Sequence, residues 1–369
     1  MKAWVLKAKG QFELEEVKKP QAGQGEALLK VAATGICGSD IPRVYQNGAH
    51  KMPLIIGHEF SGQVVELGKT HDEKYESLQG KRVGIFPLIP CRKCPACIEK
   101  KYEMCEHYSY LGSRTDGGFA EYVRVPLWNL IELPDSVTFK QAAMMEPMAV
   151  AVHAIRRLGI KPDTSKNHEN FEKTVAIAGL GTIGLLVLMF LRDMGFEKIY
   201  AVGSKEKQAE IVEKAGLAAD NFVNSRKMDA KAFIMDKTGG LGVDYFFECV
   251  GKNETIAEAV EVTKFGGKIC MVGNPFGDLS LDRDVYWRIL RKQLTITGSW
   301  NSSFLGNEDA DSLYDDWHYV LDRLAGKKIR PEELISHEFS IDDIGKGFEI
   351  MRDKSEYSIK IMMINQAED

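Results

Sequence analysis

Residues 174–195 read "TVAIAGLGTIGLLVLMFLRDMG", and this stretch decides how the chain folds. A short apolar run, "TVAIA", leads into Gly179, Gly181 and Gly184, and an apolar helical run follows. That is the strand–turn–helix setting in which G-x-G-x-x-G has a physical meaning. The first glycine permits a tight turn, the second lets backbone approach a pyrophosphate, and the third lets the helix pack close to the sheet. The helix N-terminus then meets the phosphate charge. Residues 175–191 are apolar enough to raise the thought of a membrane span. The three spaced glycines and the closing Arg192-Asp193 argue against it.

Working outward, the pattern alternates strand and helix up to about residue 300. "KIYAVG" precedes the helical "KEKQAEIVEKAG"; "VDYFFECVG", "TIAEAVEVTKFGG", "KICMVGN" and "LTITGSW" follow. Such alternation predicts a parallel, doubly wound sheet, hence an α/β fold. Upstream, the polar segment 160–174 predicts an exposed connection, and "MMEPMAVAVHAIRRLG" (144–159) predicts a helix. The first 150 residues carry short β-like runs broken by Gly and Pro, such as "EALLKVAATG", "FSGQVVELG" and "GGFAEYVRVP". They predict a compact, mostly antiparallel β domain. The tail holds a helical run, "LYDDWHYVLDRLAGK", and a final strand, "SIKIMMIN".

Four of the seven cysteines fall in "CRKCPACIEKKYEMC", at Cys91, Cys94, Cys97 and Cys105. Thiolates so close together can converge on one ion, and four sulfurs suit tetrahedral Zn²⁺. Iron–sulfur runs use other spacings. Four sulfurs also close the coordination shell, so this site predicts a structural staple rather than a place for chemistry. A second donor set is scattered: Cys37 in "GICGSD", His58 and Glu59 in "GHEFSG", Glu146 in "MEPM". Three protein ligands from such a set would leave a fourth position open.

The chain of 369 residues suggests roughly two domains, and its net charge of −5 gives no reason to expect nucleic acid or a membrane surface as partner. The N-terminus shows no signal-peptide pattern. A cytoplasmic location is expected, where clustered cysteines bind metal more often than they form disulfides.

"GICGSD", "GHEFSG", the cysteine loop, "GGFAEY", "EPMAVAVHA" and "GLGTIG" occur in the order seen in zinc-dependent medium-chain dehydrogenases/reductases, which the chain resembles along essentially its whole length. "GSDIPRVYQNGAH", "LGSRTDGGFAEY" and "LRKQLTITGSWN" are similar to the polyol-phosphate branch, the galactitol-1-phosphate type. The resemblance implies a GroES-like catalytic domain (1–152 and 301–369) interrupted by a Rossmann domain (153–300). It implies two zinc ions per subunit, the catalytic one held by Cys37, His58 and Glu146, with Glu59 beside it. It also implies hydride transfer between a nicotinamide cofactor and a secondary alcohol of a sugar-alcohol phosphate or the matching keto-sugar phosphate, in a homodimer or homotetramer. Ser39 matches the relay hydroxyl that passes the substrate proton outward. Many relatives have a histidine five residues after the first zinc cysteine; here Pro42 stands there, so the relay ends elsewhere. The alternatives are a dehydrogenase of an unphosphorylated polyol, diol or hydroxy amino acid and, more remotely, a zinc-containing binding protein without turnover.

For the cofactor, the expected contacts are Gly179, Gly181, Thr182, Ile183, Gly184, Val250, Gly273 and Asn274. An acidic residue about 20 positions beyond the glycine motif would bind the ribose 2′-hydroxyl of NAD. Gly203 stands at that position, removing repulsion toward a 2′-phosphate and leaving space, while Ser204 and Lys205 offer a donor and a positive charge. Arg226 approaches from the next strand. NADP is therefore favoured, with NAD as the alternative if Glu206 takes the carboxylate role. For the substrate, Arg43 and Arg114 are the candidate phosphate donors, with His50 and Asn301 adding donors and Trp300 walling the pocket. Each arginine could equally be a solvated surface charge, and His50 an exposed loop histidine.

Overall fold

The computed structural model describes residues 1–70, 72–161, 168–275, 277–307 and 315–365. The chain divides into two compact units, Met1–Ala149 with Ser303–Asp369, and Val150–Ser302.

The second unit is a six-stranded sheet in the order Phe222–Asn224, Lys198–Gly203, Thr174–Ala178, Val243–Glu248, Thr263–Met271, Thr295–Gly298, with every neighbour parallel. The first strand in the chain lies inside the sheet. Two strands are laid down on one side of it, then three on the other, so its C-terminal end is a topological switch point. "TVAIA" is an apolar run because the strand is covered on both faces: Val175, Ala176, Ile177 and Ala178 are all buried. The helix Thr182–Asp193 follows, burying Leu185, Leu186, Val187, Leu188, Phe190 and Leu191. It has 12 residues, short of a membrane span, and no helix among the described residues is long and apolar enough to cross a membrane. Within the predicted connection 160–174, residues 168–172 form a short helix, and 162–167 lie outside the described residues.

The first unit is mostly antiparallel β structure. A seven-stranded sheet runs Leu130–Glu132, Arg82–Ile85, Glu59–Leu67, Glu26–Gly35, Lys360–Ile364, Ile335–Phe339, with Tyr122–Pro126 also pairing to Glu26–Gly35. A three-stranded sheet holds Gln11–Glu16, Lys2–Ala8 and Leu54–Ile55. The Glu26–Gly35 strand is long enough to take three partners, and its Ala27–Ala33 stretch is buried except at Lys30. The C-terminal strand is antiparallel to it, with Met362 opposite Gly35, and on its other side is parallel to Ile335–Phe339. Residues from the end of the chain therefore lie beside residues from its beginning.

Candidate active site

The four-cysteine loop folds around its own sulfurs. Cys94, Cys97 and Cys105 are buried and Cys91 is half-buried. Cys91 Sγ lies 4.0 Å from Cys97 Sγ, and Cys94 Sγ lies 3.9 Å from Cys105 Sγ. A tetrahedron of ~2.3 Å Zn–S bonds has edges of roughly 3.8 Å, so the donors fit that ion. Backbone N–H groups point at the sulfurs, as where Cys91 N–H donates to Cys105 Sγ at 3.2 Å. The Lys93 amide draws the Cys91 thiol down to about 6, whereas burial pushes Cys97 up to about 12. The loop supplies both halves of a thiolate site: donors that favour the anion, and burial that makes a lone anion costly without a cation.

The second cluster is assembled from distant segments. Donor atoms of Cys37, His58 and Glu59 all lie within 4.8 Å of one another. Cys37 follows the Glu26–Gly35 strand, and Glu59 opens the strand paired with it, with Gly35 and Glu59 directly opposite. His58 is aimed by the residue before it. Gly57 has φ +100°, and a Cβ there would meet the Phe119 ring at 2.6 Å. The Gly57 carbonyl accepts from Gly118 N–H at 2.8 Å, which fastens "GHEFSG" to "DGGFAEY". Glu146 sits in the first turn of the helix Met145–Arg157 and is not a member of the tight three-residue set. Tyr110 Oη donates to its carboxylate at 3.1 Å.

The surroundings are buried and charged. Asp40 is fully buried, accepts from Cys37 N–H at 3.0 Å and is ion-paired with Arg43. His58 Nδ1 is buried with no hydrogen-bond partner, 3.6 Å from Asp40 Oδ1. Lys360 and Glu59 form an ion pair, each side chain 2% exposed, and Lys360 Nζ also donates to the Ile36 carbonyl at 3.1 Å. Burial opposes a charged His58, yet Asp40, Cys37 and Glu146 outweigh it and hold the ring up to about 10. Burial lifts Glu146 to about 7 against the pull of His58, and Glu59 adds to the lift. An imidazole held charged by the acidic groups around it shows that the cluster favours a positive charge, so these donors fit a cation. Asp40, Tyr110 and Lys360 were not among the predicted site residues.

The predicted cofactor residues gather at the C-terminal ends of adjacent strands. Gly179, with φ +95°, turns the chain; a Cβ there would meet Val250 Cγ2 at 2.7 Å. A Cβ on Gly184 would strike the Gly179 carbonyl at 1.9 Å. Around Gly181 nothing lies within 4 Å of the Cβ position, at the mouth of the helix that opens with Thr182 and Ile183. Open space at a helix N-terminus is the cradle a pyrophosphate requires. Val250 and Gly273 each lie two residues past a strand end, and Gly273 leaves no room for a Cβ beside Val250. Asn274 follows it, and its carbonyl crowds Gly251. Glu248, fully buried, fixes this corner by accepting from Val250 N–H, Gly251 N–H and Thr255 Oγ1 at 2.7–2.9 Å.

One expectation is corrected. Gly203 does not leave empty space at its Cβ position, because Gln208 Oε1 lies 2.5 Å and the Phe222 ring 2.8 Å from where a Cβ would be. Gln208 is buried; it accepts from Ser204 N–H and Lys205 N–H and donates to the Leu180 carbonyl. Glycine is required there for packing, and the loop is held by a glutamine that sequence reasoning passed over. Glu206 points to the surface, bound to Lys227 at 2.6 Å and to Asn224 at 2.8 Å. Arg226 is exposed, and its N–H donates to Asn224 Oδ1 at 3.1 Å.

The predicted substrate residues are less uniform. Arg43 reaches the cluster but spends its charge on Asp40. Arg114 lies over the Tyr108 ring at 4.3 Å and donates to the Tyr108 carbonyl at 3.2 Å. Ser39 precedes the short helix Asp40–Pro42 without capping it. His50 is exposed, as is Trp300; Asn301 adopts φ +62°.

Residues 23–135 match the alcohol dehydrogenase GroES-like domain and residues 182–325 the zinc-binding dehydrogenase family. Galactitol 1-phosphate 5-dehydrogenase of Escherichia coli (strain K12) is 33% identical over 326 residues, covering 88% of each chain. L-threonine 3-dehydrogenase of Pyrococcus abyssi is 31% identical over 94% of each chain. The crystal structure of galactitol-1-phosphate dehydrogenase from Escherichia coli superposes with a TM-score of 0.87 at 30% identity, covering 99% of this chain and 100% of that one. A zinc-binding dehydrogenase from Sinorhizobium meliloti 1021, bound to NADP, superposes at 0.84 with 27% identity and 98% of both chains covered. The chain belongs to the zinc-dependent medium-chain dehydrogenases/reductases, the polyol and alcohol dehydrogenase family, with a GroES-like domain and a Rossmann domain.

Proposed function

We propose that this protein interconverts a secondary alcohol of a sugar-alcohol phosphate and the corresponding keto-sugar phosphate, with NADP as the preferred cofactor. The observation that carries this reading is the convergence of half-buried Cys37 with buried His58 and Glu59, with Glu146 beside them. A bound zinc would lower the pKa of a hydroxyl presented to it, and the nicotinamide would take the hydride. Cys37, His58 and one carboxylate would hold the metal. Asp40 lies 3.6 Å away on the Nδ1 side of His58, which leaves Nε2 for the metal. Ser39, half-buried two residues after Cys37, takes the departing proton. Cys91, Cys94, Cys97 and Cys105 hold a second, structural zinc.

NADP preference rests on Ser204, Lys205 and Arg226 beside the end of the second strand, and on the diversion of Glu206 to Lys227. A second substrate reading, an unphosphorylated polyol, is favoured by one observation: Arg43 is already neutralised by buried Asp40. The deciding experiment is a screen of phosphorylated and free polyols with both cofactors, following reduced-cofactor absorbance. A higher kcat/KM for phosphorylated substrates and NADP supports the first reading; a preference for free polyols supports the second.

We further propose pairing of two copies through the sheet edge. Strand Thr295–Gly298 ends the sheet with Ile296 exposed, and the preceding helix exposes Tyr286, Trp287 and Leu290. An edge strand with apolar neighbours suits an isologous two-fold contact. Light scattering on wild type and Ile296→Lys tests it. A reducing compartment, the cytosol, suits the seven unpaired cysteines.

A further inference from the structure

We infer that a cavity in the first unit, beside the strands Lys2–Ala8, Leu54–Ile55 and Tyr122–Pro126, is a second ligand site, and that it takes an amphipathic anion, an apolar body carrying one anionic head. This goes beyond the metal and cofactor reading and does not rest on it.

The cavity has its origin in the first strand, whose side chains alternate between two faces. Trp4 and Leu6 join the large cluster around Phe348, whereas Ala3 and Val5 join a separate, small one. That second cluster has four buried members, Ala3, Val5, Ile55 and Ala120, with Met1 and Val17 packed against it. Val5 and Ile55 lie directly opposite each other in the antiparallel register. Two alanines among four members fill little volume, and a cavity of about 470 Å³ opens beside Val5 and Ile55. Small-molecule sites have this size.

Its apolar wall and its charges are of different character. Val5, Ile55, Leu111 and Val123 line it as buried side chains, and Val17 and Tyr122 as half-buried ones. Lys18, Lys51 and Arg124 bring positive charge to the lining, Glu26 and Asp116 negative charge. Three of these five are engaged. Arg124 pairs with Glu26 at 3.2 Å, and Asp116 Oδ1 accepts from Ile55 N–H at 3.1 Å. The ammonium groups of Lys18 and Lys51 are exposed and have no partner among the described residues. Lys19 adds a further positive charge, its Nζ 3.7 Å from the centre of the Tyr122 ring. Unpaired ammonium groups at an apolar cavity suit a ligand that offers both a carbon body and an anion. None of Cys37, His58, Glu59 and Glu146 lines this cavity.

The walls are tied together by the fold itself. Gly117 N–H donates to the Ile55 carbonyl at 2.8 Å, so the Leu54–Ile55 strand is held from both its amide and its carbonyl side. Val17 N–H donates to the Met1 carbonyl at 2.9 Å, which fixes the opposite wall. A site formed in advance spares a ligand the cost of ordering it.

The probe is octanoate, an apolar chain with one carboxylate, titrated by calorimetry into the zinc-loaded protein without nicotinamide; octanol is the uncharged comparison. Wild type should bind octanoate at least about tenfold more tightly than octanol, since hydrogen bonds to charged groups are worth that factor. The double variant Lys18→Gln with Lys51→Gln, both at exposed positions, should lose that preference and keep its affinity for octanol. Val17→Trp, which fills the cavity from its half-buried side, should lose both ligands while melting close to wild type. Octanoate can also bind a metal, so Cys37→Ser is titrated alongside and should bind it as wild type does. Octanoate held no more tightly than octanol in the wild type, a preference that survives in the double lysine variant, or binding that disappears in Cys37→Ser would overturn the inference.

Discussion

The two metal-donor clusters are built by opposite means. In the loop, four like donors come from fifteen consecutive residues, and backbone amides of the same loop point at the sulfurs. In the Cys37 cluster, unlike donors come from separate strands and a helix, and charged side chains surround them. The first arrangement fills a metal's coordination shell with equivalent soft ligands and stops. The second brings a mixed set together among buried charged side chains. Four equivalent donors suit a staple; a tight set of three suits a site that must leave room for substrate.

The sharpest way to break this comparison is to remove one cysteine from each cluster. Cys37→Ser should lower kcat by more than about 100-fold, beyond the loss seen for a partner of a metal ligand, while melting close to wild type. Cys94→Ser should do the reverse, lowering thermal stability by several kcal/mol, because binding energy at a structural zinc is folding energy. Similar melting temperatures for both variants would erase the distinction. Asp40→Asn probes the surroundings that only the second cluster has. Metal affinity should fall by about tenfold, the low end of the range for a group behind a ligand, because Asp40 accepts from Cys37 N–H and sets its negative charge 3.6 Å from His58. An unchanged affinity would show that Asp40 serves only to pair Arg43 and hold the local backbone.

How much of this was legible in the sequence follows the same division. The cysteine spacing and the glycine register are local, so their geometry is fixed by a few bonds and can be read from a line of letters. The scattered donors Cys37, His58, Glu59 and Glu146 became readable as a set through resemblance, not spacing. Lys360 was hidden because it contacts Glu59 across 301 residues of chain. A lysine opening an apolar strand reads as a solvent-facing end, and only the antiparallel register turns it inward. Asp40 stood in plain view in "GICGSD", but nothing local says that an aspartate there is fully buried. Strand Ile335–Phe339 went unread because it is a partly exposed edge carrying His337 and Glu338. Gly203 shows the opposite error: its lack of a carboxylate was noticed, while the glutamine that needs its missing Cβ was not.

That correction changes how the cofactor prediction is sharpened. Gly203→Asp would confound repulsion with a steric clash, so Lys205→Ala is the cleaner variant. Its side chain is exposed, and removing one charge there should cut the NADP preference in kcat/KM by roughly tenfold, about 1.4 kcal/mol. A wild type that already prefers NAD by that factor would reverse the assignment. The effect is the smallest of the set, because Arg226 remains nearby.

The central claim, one staple and one working site, is tested most directly by counting metal. Zinc per chain is measured by elemental analysis on wild type, Cys37→Ser and Cys94→Ser, with turnover recorded on the same samples. The account predicts two ions in the wild type, and one in Cys37→Ser, which is folded but inactive. Two ions together with full turnover in Cys37→Ser would contradict it.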